Sequence, residues 1–150
     1  MSLSLQDELF PDLMCFGCGP LNDKGLQLKS FAVEGLVTAE FLPWPEHNNG
    51  FGLLNGGIIA TLLDCHSAAA VTLAARDHGW ERLGDALLPY VTAGLDVAYR
   101  RPAPLREPVT LVAEITRASE PEIECHVRLE HDGKVRSEAN ALWKRWRPRP

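Results

Sequence analysis

From Gly56 to Val71 the chain is apolar on almost every side of a helix, broken only by Thr61 and by Asp64, Cys65, His66 and Ser67 near its middle. The stretch runs on to Asp77, and the spacing predicts one helix over about residues 56–77. A surface helix shows a polar half; a helix without one must be covered. The cover is either a sheet that curls around it or a second subunit. A carboxylate in such a helix is costly unless it is paired or used. The two glycines at the start, Gly56 and Gly57, each cost roughly 1 kcal/mol against alanine inside a helix. Two departures from stability seven residues apart point to a site. From spacing alone, though, Asp64 reads equally well as a hydrogen-bonded structural acid.

The rest of the chain supplies the sheet. Leu26–Phe31 and Leu36–Phe41 read as strands joined by a turn at Glu34-Gly35, and Pro43–Gly50 as a loop. Asn55 is placed to cap the long helix, which breaks at Asp77-His78-Gly79. Four strands follow: Val91–Tyr99, Val109–Ile115, Ile123–Glu130 and Val135–Trp146. Asp132-Gly133 turns between the last two, and Val135, Ala139, Ala141 and Trp143 share one face. The expected architecture is α+β: an antiparallel sheet of five or six strands wrapped around one central helix. At 150 residues this is a single domain, residues 1–150. Residues 1–14 read as a leader with a helical turn near Leu5–Leu9, and Met1-Ser2-Leu3 is compatible with a cloning remnant.

Composition excludes some partners. The net charge of −5 disfavours nucleic acid. The basic run Lys144-Arg145-Trp146-Arg147-Pro148-Arg149 reads as a solvated terminus, with contact to an anionic ligand as the alternative. Asp64 and His66 near the middle of the longest apolar stretch argue against membrane insertion, because a charge at the bilayer centre costs about 2.5–3.5 kcal/mol. No secretory signal is visible, and the expected location is cytoplasmic. Cys15 and Cys18 form the only close pair among cysteines 15, 18, 65 and 125. A zinc site normally needs a second pair or regularly spaced histidines, so the pair reads as a structural turn and no metal or cofactor is expected.

On a helix, seven residues make about two turns, so Gly57 and Asp64 share a face with Thr61 between them. A ligand approaches the backbone closely only where side chains are small, which gives Gly56 and Gly57 a purpose. The first amides of a helix have no internal partner and suit an oxygen gaining negative charge. A carboxylate further along that face can act as general base or as nucleophile. His66 falls on another face and reads as a core histidine.

The segment Asn55-Gly56-Gly57-Ile58-Ile59-Ala60-Thr61-Leu62-Leu63-Asp64 resembles the His-Gly-Gly motif, helix and acidic residue of the hotdog-fold thioesterases, in the 4-hydroxybenzoyl-CoA thioesterase-like group with its phenylacetic-acid-pathway members. Cys15–Gly19 with Gly25–Leu28 is similar to the N-terminal segment of one branch, and Thr92–Ala103 to the strand after the helix. The resemblance implies a hotdog fold and hydrolysis of a small or medium acyl- or aroyl-CoA thioester, with CoA as part of the substrate. It implies Asp64 as base or nucleophile and the Gly57 amide as the group that polarises the carbonyl. It also implies Asn49 beside the reacting group and Thr92 reaching Asp64 across a subunit contact. Asn55, Gly56 and Thr61 would line the substrate, and Arg100 and Arg101 would receive CoA phosphates. A homodimer or homotetramer is implied, with neither nucleic acid nor membrane as partner. Here Asn55 stands where the family has histidine, and asparagine cannot titrate near neutrality. A non-catalytic acyl-CoA binder is therefore the alternative reading.

Overall fold

The computed structural model describes residues 2–149. Its elements are α1 (Leu5–Leu9), β1 (Phe31–Val33), β2 (Leu36–Phe41), a 3-10 turn at Pro45–His47, α2 (Gly56–Asp77), β3 (Tyr90–Tyr99), β4 (Val109–Ala118), β5 (Glu122–His131) and β6 (Lys134–Arg145). The six strands form one antiparallel sheet in the order β1-β2-β4-β5-β6-β3, which packs on α2. This is the hotdog arrangement expected from the sequence.

Local chemistry sets the ends of α2. The Asn55 Oδ1 accepts from the Gly57 and Ile58 N–H groups at 2.7 and 3.1 Å, satisfying two amides of the first turn. At the other end Gly79 takes φ +74°, its N–H donates to the Arg76 carbonyl, and the Trp80 N–H reaches the Ala75 carbonyl. That pair of bonds is a Schellman stop, which a left-handed glycine makes possible. Two of the hairpin turns carry positive φ at both central residues, Glu34-Gly35 and Asp132-Gly133. That conformation matches the right-handed twist of the strands it joins.

One expectation needs correction. Leu26–Phe31 is not a strand, and pairing begins only at Phe31. Gln27 takes φ +56°, and its Nε2 donates to the carbonyls of Gly19, Pro20 and Asn22. Those bonds hold an unfavoured backbone that a strand cannot contain. The helical turn expected near Leu5–Leu9 is α1, and it is packed into the core. Leu5 and Phe10 are buried in the core, and Gln6 is fully buried. The sheet of the single chain does not cover α2 on every side. Gly57 is exposed and Thr61 and Asp64 are half-buried, so the stripe carrying the small and polar residues is the one the sheet leaves open. By length and composition α2 could cross a membrane, but here it is the core helix of the domain.

The polar groups that α2 does bury are hydrogen-bonded. Trp143 Nε1 donates to Ser67 Oγ at 2.9 Å, and Ser67 Oγ donates to the Asp64 carbonyl at 2.7 Å. His66 is fully buried, with Nε2 2.8 Å from the Val37 carbonyl and Nδ1 2.8 Å from Ser30 Oγ. A carbonyl only accepts, so Nε2 carries the proton and Nδ1 accepts from the serine hydroxyl. Burial pushes the His66 pKa down to about 4, against the smaller opposing effect of the Val37 carbonyl, which keeps the ring neutral. As read from the sequence, His66 is a core residue.

Strand β3 forms one edge of the sheet and pairs only with β6. Its register shifts between Thr92 and Gly94, leaving Ala93 as a bulge. The bulge changes which residues face the helix. Tyr90 and Thr92 point inward before it, whereas Leu95 and Val97 pack on the core after it.

Candidate active site

Asp64 and Thr92 meet in one chain. Thr92 Oγ1 donates to Asp64 Oδ1 at 2.7 Å. The expectation that these residues touch only across a subunit contact is therefore wrong. The bulge after Thr92 aims its hydroxyl at α2 of its own subunit, and no partner is needed. Burial raises the Asp64 pKa above the ordinary carboxylate value, and the Thr92 hydrogen bond works in the opposite direction. A half-buried acid with one hydroxyl donor stays accessible and keeps a lone pair for a reacting proton.

The start of α2 differs from what the sequence implied. The Gly57 N–H does not point into open space, because Asn55 Oδ1 accepts from it at 2.7 Å. The residue that replaces the family histidine thus occupies the amide assigned to the substrate carbonyl. A side chain at Gly57 would place its Cβ 3.1 Å from the same Asn55 oxygen, whereas at Gly56 the nearest atoms are in the Tyr99 ring at 3.5 Å. Among the described residues no atom comes closer to that position, so glycine at position 56 leaves open the space beside it.

That space is a cavity of about 360 Å³ lined by Asn49, Gly56, Ile59, Tyr99, Arg100 and Arg101 among others. Arg100 Nε is 3.2 Å from Glu138 Oε2, and Arg101 Nη1 is 3.5 Å from the Val135 carbonyl. Asn49 Oδ1 accepts from the Phe51 and Leu53 amides at 2.8 and 3.3 Å, so its oxygen holds the loop while the residue also lines the cavity. Thr61 Oγ1 donates to the Gly57 carbonyl at 3.0 Å, one turn back along the stripe. Neither Asp64 nor Thr92 lines this cavity.

Tyr99 was missed by sequence reasoning. Its hydroxyl donates to the Gly56 carbonyl at 2.7 Å and ties the end of β3 to the start of α2. The available signal was an aromatic residue closing a strand immediately before two arginines. The C-terminal basic residues are mostly paired within the chain. Lys144 lies 3.2 Å from Glu122, and Arg147 lies 3.4 Å from Glu120. Arg145 donates through Nη1 to the Trp80 carbonyl, while its Nε lies 3.2 Å from Glu120 without a directed hydrogen bond.

Comparison with known proteins bears on this geometry. The thioesterase superfamily profile matches residues 51–137, which include α2, β3, β4 and β5. Acyl-coenzyme A thioesterase 13 of Homo sapiens and of Pongo abelii are each 30% identical over 86 residues, 57% of this chain and 54% of theirs. The chain thus spans about half the length of the curated relatives it matches. A thioesterase superfamily protein from Shewanella loihica has 27% identity and a TM-score of 0.65, covering 80% of this chain and 91% of that one. The E. coli PaaI protein from the phenylacetic acid degradation operon has 18% identity and a TM-score of 0.70, covering 97% of each chain, and shows the fold alone.

Proposed function

Because the chain belongs to the thioesterase superfamily, we propose that it hydrolyses small or medium acyl- or aroyl-CoA thioesters. The observation that carries this reading is the 2.7 Å bond from Thr92 to Asp64, a half-buried carboxylate held in place with its pKa raised by burial. Asp64 would act as base toward water or as nucleophile toward the acyl carbon. In the first route it takes a proton as water adds to the carbonyl. The tetrahedral oxyanion then collapses, breaks the C–S bond, and the CoA thiolate regains the proton. The named activity of acyl-coenzyme A thioesterase 13 supports the substrate class. Arg100 and Arg101 at the cavity mouth are proposed to receive CoA phosphates.

Distance supports a homodimer. Seven residues along α2 correspond to about 10.5 Å of axial rise. An oxyanion donor and an attacking group must both lie about 3 Å from one carbonyl. Gly57 and Asp64 of one chain are too far apart for that, so the reacting pair would be Gly57 of one chain with Asp64 of another. The ten-residue edge of β3, from Tyr90 to Tyr99, offers a surface for such pairing. Pairs of dimers would give the tetramer.

One observation favours a second reading. With Asn55 Oδ1 on the Gly57 N–H, a substrate carbonyl must displace the asparagine to reach that amide. A site that keeps Asn55 in place would bind acyl-CoA without turning it over. A panel of acyl- and aroyl-CoA esters separates the two. Steady release of free CoA supports the hydrolase; ester affinity with no release establishes the binder instead.

Thr92→Val tests the carrying contact. Hydrogen bonds to charged groups contribute about 1.5–3 kcal/mol, so kcat is expected to fall by roughly 10- to 100-fold with KM little changed. A rise in KM at constant kcat would place Thr92 in substrate binding instead.

A further inference from the structure

Cys15, Cys18 and Cys65 take no part in the reaction above, yet the fold gathers them at one point. Their Sγ atoms lie within 4.8 Å of one another, and those of Cys15 and Cys65 are 3.6 Å apart. Cys65 comes from the middle of α2, so this cluster is tertiary and not a by-product of the Cys15-Phe16-Gly17-Cys18 turn. The turn is built tightly against it. A Cβ on Gly17 would fall 2.2 Å from Cys65 Sγ, and one on Gly19 would fall 2.3 Å from the Cys15 nitrogen and 2.4 Å from the Leu13 carbonyl oxygen. The Gly19 N–H closes the turn on the Cys15 carbonyl at 2.8 Å. Cysteine ligates as the thiolate, so metal uptake at such a cluster is coupled to loss of the thiol protons.

We propose that Cys15, Cys18 and Cys65 bind one zinc ion as thiolates, with its fourth position taken by water. A tetrahedral zinc with Zn–S bonds of about 2.3 Å sets its sulfurs about 3.8 Å apart, close to the 3.6 Å between the Cys15 and Cys65 sulfurs. Binding releases the three thiol protons. Charge selects among thiophilic ions: three thiolates with a divalent ion leave a net −1, and with monovalent copper a net −2. The Asp64 carboxylate precedes Cys65 in the chain, so the divalent ion is the less costly neighbour. The ion would fasten the segment around Cys15–Leu28 to α2 beside Asp64. No thioester chemistry is required of it, so this inference does not depend on the proposed hydrolysis.

The test uses the full chain without a metal-binding tag, kept reduced, and measures metal content, cobalt spectra and melting temperature. About one zinc per chain is expected on purification, and Co²⁺ added to metal-depleted protein should give a thiolate-to-cobalt charge-transfer band. Zinc should raise the melting temperature of the depleted protein. Cys15→Ser and Cys18→Ser should each lose the cobalt band and most of the zinc, and Cys125→Ser, with its thiol in β5, should keep both. The depleted native protein serves as a test even if a serine variant fails to fold. Absence of a cobalt band and of any zinc-dependent melting shift in that reduced protein overturns the proposal. So does a band that survives in Cys18→Ser, or thiols that oxidise to a disulfide without ever taking up metal.

Discussion

Replacing Asp64 with asparagine is expected to lower kcat for acyl-CoA hydrolysis by about three orders of magnitude, roughly 4 kcal/mol of transition-state stabilisation. The substitution keeps the shape and still offers an oxygen to the Thr92 hydroxyl, which bonds the carboxylate at 2.7 Å in the native chain. It removes only the capacity to take a proton or attack carbon. Stability should hold or rise, because an ionised group in a half-buried site pays for its desolvation and an amide pays less. Loss of activity with retained melting temperature is therefore the expected pair of results. A structural role for Asp64 predicts the reverse: turnover near native with a lower melting temperature. If the native chain binds acyl-CoA without turnover, the variant has nothing to lose, and the binder reading stands.

The long helix and its company of strands were legible because they are written in periodicity. Residues 56–77 are too apolar for a surface, the Asn55 cap and Gly79 stop follow local rules, and the Glu34-Gly35 and Asp132-Gly133 turns name their own conformation. What failed depended on contacts between distant residues. Leu26–Phe31 has the composition of a strand, but three carbonyls of the 19–22 loop hold Gln27 at positive φ. Nothing local announces that loop's position. Asp64 was identifiable as a carboxylate without a packing role and Thr92 as its partner by resemblance, yet that the two meet within one chain depends on a bulge at Ala93 that alternation alone does not reveal. Cys65 joins Cys15 across 50 residues, and a search by spacing sees only the nearer pair, Cys15 and Cys18. The Asn55 substitution was visible. Its consequence, an oxygen placed on the Gly57 amide, required the geometry.

The same limit explains the largest expected effect on stability, at His66. Gln6 and Ser30 are polar residues far from His66 in the chain, yet both are fully buried with it. Gln6 Nε2 donates to Ser30 Oγ at 2.9 Å, the serine hydroxyl donates to His66 Nδ1 at 2.8 Å, and the Ser30 amide returns a bond to Gln6 Oε1 at 2.7 Å. His66 Nε2 donates to the Val37 carbonyl. The network joins α1, the approach to β1, β2 and α2 with every member satisfied, a condition under which deleting one member strands the others. His66→Leu keeps similar bulk but leaves the Ser30 hydroxyl and the Val37 carbonyl without their partner. Each buried unpaired group costs about 1–3 kcal/mol, so urea unfolding should show a loss of about 3 kcal/mol at unchanged m-value. Ser30→Ala alone should cost about 2 kcal/mol, because the His66 Nδ1 acceptor and the Gln6 donor lose their partner. In the His66→Leu background Ser30→Ala should cost less, since the hydroxyl has already lost its acceptor, giving a coupling of about 1 kcal/mol. Strict additivity of the two substitutions would show that the residues contribute separately and that α1 is not held to α2 through this chain of bonds.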